Sequence, residues 1–141
     1  MPIDDADRRL LRQLQADPSA GMADLAARAG LTESTAARRL DRLRAGGVLK
    51  GIEGVIDWRR LGWEVGVSLR VTLDKTDPRA FDDFLAAARL VPEVLEIQTF
   101  LGRVDARLYV IARDLAHYQE VYRSRILTLP HIADIEALMH I

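Results

Sequence analysis

Residues Ala23 to Ile56 constrain the fold of this chain more than any other stretch. They run Ala-Asp-Leu-Ala-Ala-Arg-Ala-Gly-Leu, then Thr-Glu-Ser-Thr-Ala-Ala-Arg-Arg-Leu-Asp-Arg-Leu, and after Arg44-Ala45 reach Gly-Gly-Val-Leu and a short β-rich run. The pattern predicts two short helices that reverse at Gly30, where only glycine takes a positive φ without steric cost. Leu31 closes the angle between them, and the Thr32 hydroxyl is placed to cap the second helix. Glu33 then sits at the positive end of that helix dipole. Together these features predict a helix-turn-helix, and the exit into Val55 and Ile56 predicts a small β wing after it.

The second helix has two faces of different chemistry. Ala36, Leu40 and Leu43 fall at i, i+4 and i+7, one stripe of a 3.6-residue period. Ser34, Thr35, Ala37, Arg38, Asp41 and Arg42 lie off that stripe, and Arg39 lies near its edge. Hydroxyls and guanidinium groups are what a helix needs to meet phosphates and base edges in a major groove. A solvated amphipathic helix would also carry such arginines. The preceding helix, Gly30 and the expected wing turn the reading toward DNA. The candidate contacts are Thr32, Ser34, Thr35, Arg38, Arg39 and Arg42. Arg38 and Arg42 are expected to face outward, and Arg39 to pair with an acidic neighbour.

Bulk charge does not announce a nucleic-acid binder, because the net charge is −1 and the isoelectric point is near 6.3. The charge is unevenly placed. Up to residue 61, eleven Lys and Arg face nine Asp and Glu, a net +2 that leaves −3 for the rest. Specific contacts must therefore matter more than a general field. The chain has no cysteine, which removes disulfides, thiol chemistry and thiolate metal sites. His117, His131 and His140 show no metal-ligand spacing and no acid/base partner in sequence, so no metal, cofactor or catalytic residue is expected. With no signal peptide or long apolar run, a cytoplasmic protein without membrane contact is expected.

The chain start completes the same module. Asp4 and Asp7 form a capping-box-like opening, and Ala6, Leu10 and Leu14 give a first helix its apolar stripe. A domain over 1–57 and a connector over 58–63 follow, the latter from one helical turn stopped by Gly62. Beyond residue 64 the period changes to two. Val65, Val67, Leu69, Val71 and Leu73 alternate with smaller and polar residues, as a half-buried strand does. Asp77-Pro78 opens a helix with Phe81, Phe84, Leu85 and Ala88 on one face. Strands are expected at 94–101 and 106–112. A helix from Asp114 is expected to run through Tyr118, Val121, Tyr122 and Leu127, and a last strand spans 132–141. Val91-Pro92-Glu93-Val94 matches Leu129-Pro130-His131-Ile132 at an offset of 38, so the order βαββαβ over 64–141 reads as two related halves. The fold class is α+β, a winged helix-turn-helix followed by a ferredoxin-like antiparallel sheet with both helices on one face. Ser68, Arg70, Thr72, Arg107 and Tyr109 alternate onto the other face, which is expected to pack on a second copy. There Arg70 and Arg107 are expected either to be neutralised by Glu136 and Asp134 across a dimer or to hold an anion.

The whole chain resembles the Lrp/AsnC family of regulators. The carrying segments are Ile3-Asp4-Asp5-Ala6-Asp7, Asp24-Leu25-Ala26, Gly30-Leu31-Thr32, Arg39-Leu40-Asp41-Arg42-Leu43 with Gly47-Val48-Leu49, and Gly102-Arg103-Val104-Asp105. The resemblance implies a transcriptional regulator that binds double-stranded DNA. It also implies dimerisation through the C-terminal domain, with tetramers or octamers in some members. A small effector such as an amino acid would bind near the turn Leu101, Gly102, Arg103, Val104 and Asp105. That turn keeps the family's glycine and aspartate. It has Leu101 where a small hydroxyl residue is usual, Ala106 for an aromatic and Arg107 for an aliphatic residue, which points to a different, more anionic or absent effector. Gly102 and Asp105 equally fit a purely structural glycine turn with an Asx-type hydrogen bond. Siroheme decarboxylases share the overall likeness, yet their Tyr-Arg pattern before this turn is replaced here by Ile97-Gln98-Thr99-Phe100. A binding module that has lost DNA recognition is the third reading, and the arginines of the second helix argue against it.

Overall fold

The computed structural model describes residues 2–140, without the side chain of His140. It divides into two compact units, Met1–Val55 and Ile56–Ile141.

The first unit holds α1 (Asp5–Ala16), α2 (Met22–Ala29) and α3 (Glu33–Ala45). The capping box at its start is present: the Asp4 carboxylate accepts from Asp7 N–H at 2.9 Å and Asp7 accepts from Asp4 N–H at 3.3 Å. Two orphan helix donors are thereby satisfied. α2 ends at Gly30 in the left-handed region, φ 70°, and Leu31 N–H donates to Ala26 O at 2.8 Å. This glycine stop sets the reversal into α3, whose N-cap Thr32 accepts from Thr35 N–H. Leu10, Leu14, Leu25, Ala26, Ala29, Ala36, Leu40 and Leu43 close one small core.

The β wing is not formed as expected. Residues 48–57 contain no strand, and Val55 is 98% exposed. Val55 and Ile56 have strand propensity, but a strand also needs a second backbone, and none pairs with this glycine-interrupted segment among the described residues.

The second unit opens on a single 3-10 turn, Trp58–Leu61, stopped by Gly62 at φ 90°. Then come β1 (Val65–Leu73), α4 (Ala80–Ala88), β2 (Val94–Thr99), β3 (Ala106–Ala112), α5 (Leu115–Val121) and β4 (Ile132–His140). All pairings are antiparallel, in the order β2-β3-β1-β4. Val67, Leu69, Val71 and Leu73 of β1 meet Phe84, Leu85 and Ala88 of α4 and Tyr118 and Val121 of α5 in one core. The opposite face of β1 and β3 carries Ser68, Arg70, Arg107 and Tyr109, with Arg70 directly opposite Arg107 on one side and Glu136 on the other.

Three details depart from the sequence pattern. Phe81 is exposed, because α4 begins at Ala80 and its inward stripe is Ala80, Phe84, Leu85 and Ala88. The α5 helix widens into a π turn over Tyr122–Ile126, where Leu127 N–H reaches Tyr122 O at 2.9 Å. That wider turn carries Ile126 inward and leaves Leu127 exposed. β2 stops at Thr99, two residues before the expected end. Ile141, expected to close the last strand, lies outside the described residues.

Candidate nucleic-acid interface and effector turn

The chemistry of α3 begins with a carboxylate on another helix. Asp7 falls one turn before Leu10 and two before Leu14, so the apolar stripe of α1 carries it to the interior, where it is fully buried. A buried carboxylate is costly unless it is paired and hydrogen-bonded. α3 supplies the partners. Arg39 Nη1 donates to Asp7 Oδ1 at 3.0 Å, and Arg42 Nη2 donates to Asp7 Oδ2 at 2.7 Å. Arg39 Nη1 also lies 2.8 Å from both oxygens of Asp4. Arg39's hydrogen bond first, then the Asp7 N–H, hold the pKa of the Asp4 carboxyl at about 2 against the opposing effect of desolvation.

The six residues expected at DNA therefore divide into four kinds. Ser34 and Arg38 are exposed one turn apart, and Arg38 enters no ion pair among the described residues. Thr32 and Thr35 are committed to the cap, with their hydroxyls 2.8 Å apart. Arg39 is drawn toward the core as expected, and its Nε is buried without a partner. Arg42 faces outward only in part. Its side chain is 48% exposed, but one end of the guanidinium is held by Asp7. Arg38, Arg39 and Arg42 line one concavity of about 140 Å³. Asp7 was legible only as a capping residue. Its place on the Leu10–Leu14 stripe, opposite arginines three apart on α3, was the signal for the second role.

The turn after β2 places its residues differently. Leu101, Gly102 and Arg103 are exposed, Val104 is half-buried, and Asp105 is buried. Asp105 Oδ2 accepts from Leu73 N–H at 2.8 Å and from Lys75 Nζ at 2.8 Å. Burial pushes this carboxyl up, but the Leu73 and Lys75 donors outweigh it and leave it below the usual carboxylate value. Thr72 Oγ1 donates to Arg103 O, and Asp105 N–H donates to Val71 O. Asp105 thus fastens the turn to the end of β1. Gly102, at φ 154°, sits where a side chain is strained.

Arg107 finds partners within its own chain. It donates to Ser68 Oγ at 2.9 Å and Gln98 Oε1 at 3.1 Å, and Glu96 lies 3.7 Å away. Neither Glu136 nor Asp134 is among them, although Glu136 does share the face. A methyl group on Gly66 would run into the Tyr109 phenol oxygen, so the ring lies over a position that only glycine leaves open. Elsewhere, the fold gathers Asp77, Asp83 and His131 within 4.8 Å of one another, a grouping that histidine spacing alone does not reveal. His131 Nε2 stands 3.1 Å from Asp83 Oδ2, at a positive φ of 66°. His117 closes the α5 cap instead: its N–H donates to Asp114, and its Nδ1 accepts from Arg113 N–H.

Comparison with known proteins agrees with both units. An AsnC-type helix-turn-helix domain model matches residues 3–44, and an Lrp/AsnC ligand binding domain model matches residues 67–141. The proline dehydrogenase transcriptional activator of Rhodobacter capsulatus is 32% identical over 131 residues, 93% of this chain and 85% of that protein. The leucine-responsive regulatory protein of Salmonella typhimurium is 27% identical over 132 residues, 94% of this chain and 80% of that one. The crystal structure of an AsnC family transcriptional regulator from Agrobacterium tumefaciens superposes with a TM-score of 0.87 at 27% identity. It covers 99% of this chain and 90% of its own.

Proposed function

Because the chain belongs to the Lrp/AsnC family of transcriptional regulators, we propose that α3 is its recognition helix, entering the DNA major groove with Ser34 and Arg38 foremost. The protein is a regulator and not an enzyme, with a DNA-binding helix-turn-helix and a separate ligand-binding domain. Among the described residues, no helix is long and apolar enough to cross a membrane. We place the regulator in the cytoplasm, where its DNA is.

The observation that carries the α3 assignment is the exposed, unpaired Arg38 beside an Arg42 whose outer edge is free, on the face opposite Leu40 and Leu43. Thr32 caps the start of the helix with Thr35, and Arg39 ties it to Asp4 and Asp7. Two such helices in a homodimer would read half-sites about 34–36 Å apart or a multiple of it, so the operator would be an imperfect palindrome. Selection from random-sequence DNA with the purified protein tests this. Enrichment of palindromic sites is expected, and no enrichment at any salt concentration would defeat the assignment. Arg38→Ala should cost about 1–3 kcal/mol of operator affinity and relax one position of the site.

The effector is proposed to be an amino acid, consistent with a ligand-binding domain and with a relative named for its response to leucine. Its carboxylate would meet Arg103 at the exposed side of the turn Leu101, Gly102, Arg103, Val104 and Asp105, with Asp105 shaping that turn from inside. Thermal-shift screening of the twenty amino acids, repeated with Arg103→Ala, identifies it. Light scattering at micromolar concentration reads the assembly, where a dimer or a multiple of it is expected.

A further inference from the structure

We propose that Asp7 is a positioning residue for DNA recognition: it holds Arg42 in one orientation, so that sequence selectivity depends on a side chain that never touches DNA. This rests on the assignment of α3 as the recognition helix.

The capping box alone does not require the Asp7 arrangement. Asp7 accepts only a long 3.3 Å bond from Asp4 N–H, whereas its short bonds are to Arg39 and Arg42. Asp7 has no exposure at all, while Arg42 is about half exposed. The carboxylate is the fixed member of the pair, and the guanidinium is the member that reaches both ways. An arginine has five N–H donors in a rigid planar fork. Asp7 engages Nη2, which leaves the rest of the fork for solvent or a base. Arg38 borders the same concavity, so Arg42 lies beside an arginine that enters no ion pair among the described residues.

An unanchored arginine must give up rotamer freedom when it docks, and it meets right and wrong bases with equal ease. An anchored one has lost that freedom on folding. Its donors then match one acceptor pattern, such as the O6 and N7 of guanine, and miss the others. Asp4 shares Arg39 but has no bond to Arg42. It therefore serves as an internal control.

The test uses the full chain, the operator recovered by selection and a scrambled duplex of the same composition. For Asp7→Asn, the ratio of the two affinities should fall about tenfold, with scrambled-duplex affinity unchanged or tighter. Asp4→Asn should leave the ratio unchanged. In an Arg42→Ala background, Asp7→Asn should have no further effect on it, because the two residues act as one unit. An unchanged ratio for folded Asp7→Asn overturns the proposal. So does an equal loss in both Arg42 backgrounds. Should Asp7→Asn fail to fold, side-chain nitrogen NMR of the wild type decides. The Arg42 guanidinium is expected to be rotationally restricted in the free protein and to stay so on the operator. Free rotation, or release from Asp7 on binding, overturns the proposal. A wild-type protein that selects no site defeats the α3 assignment itself, which is a separate result.

Discussion

Asp7 and Asp105 are both sealed from solvent, one in each unit, and both are satisfied, but by donors of different kinds. Asp105 takes a backbone N–H from Leu73, with Lys75 added from the surface. Its partner is part of the chain path, so it can only fix where the chain goes. Asp7 takes two guanidiniums from the neighbouring helix. Those partners have other donors to offer, so the same burial that ties two helices together also aims chemistry outward. A buried carboxylate is therefore read by what holds it.

The largest effect that sharpens this contrast is on stability. Asp7→Ala breaks both ion pairs and the reciprocal half of the capping box, while the Asp4 carboxylate keeps its bond from the N–H of residue 7. Arg39 and Arg42 keep some water, so the loss should fall toward the lower end of the about 3–5 kcal/mol typical of a broken buried pair, by urea denaturation. Asp105→Ala leaves the Leu73 N–H without its acceptor and should cost about 1–3 kcal/mol, with operator affinity unchanged. A change in DNA binding for Asp105→Ala as large as that for Asp7→Ala would erase the distinction. Lys75→Ala should matter least among the substitutions, below about 1 kcal/mol, because the lysine is 60% exposed.

A pH titration separates the units further. Asp4 has its carboxyl lowered from 3.8 to about 2, chiefly by Arg39. A depressed acid stabilises the fold fully above its unfolded value, and that contribution is lost as the pH falls through its folded value. The thermal midpoint of the wild type should therefore drop between pH 4 and 2 more steeply than that of Asp4→Asn. Identical profiles would mean that the Arg39 contact does not persist in solution.

Local chemistry made much of the molecule legible. Gly30 at φ 70°, the Thr32 cap, the Asp4–Asp7 box and the strand Ala106–Ala112 all follow from residues within a few positions of one another. What escaped depends on distant partners. Strand propensity at Val55 and Ile56 says nothing about whether another backbone lies alongside. Phe81 fits the helical period, but the packing of Ala80 and Phe84 sets which face turns inward. At the interface, residue types identified the helix and the outward Arg38. The sharing of Arg42 with Asp7 needed α1 and α3 side by side, across 35 positions of sequence. In the effector turn, Gly102 was readable from its neighbours, whereas the grip of Asp105 on Leu73 was not.

The pairing of α3 with α1 has a consequence for counterions. Of the four arginines on α3, Arg39 and Arg42 are offset by Asp4 and Asp7, and Arg44 lies 3.7 Å from Asp41. Among the described residues, only Arg38 is left on α3 as an uncompensated cation. Each phosphate neutralised releases condensed cations and steepens the fall of log K with log salt by about 0.9. One recognition helix should then contribute a slope no steeper than about −0.9, rather than the roughly −3.6 of four unpaired arginines on phosphates. The share of operator binding that α3 contributes should therefore weaken little as ionic strength rises.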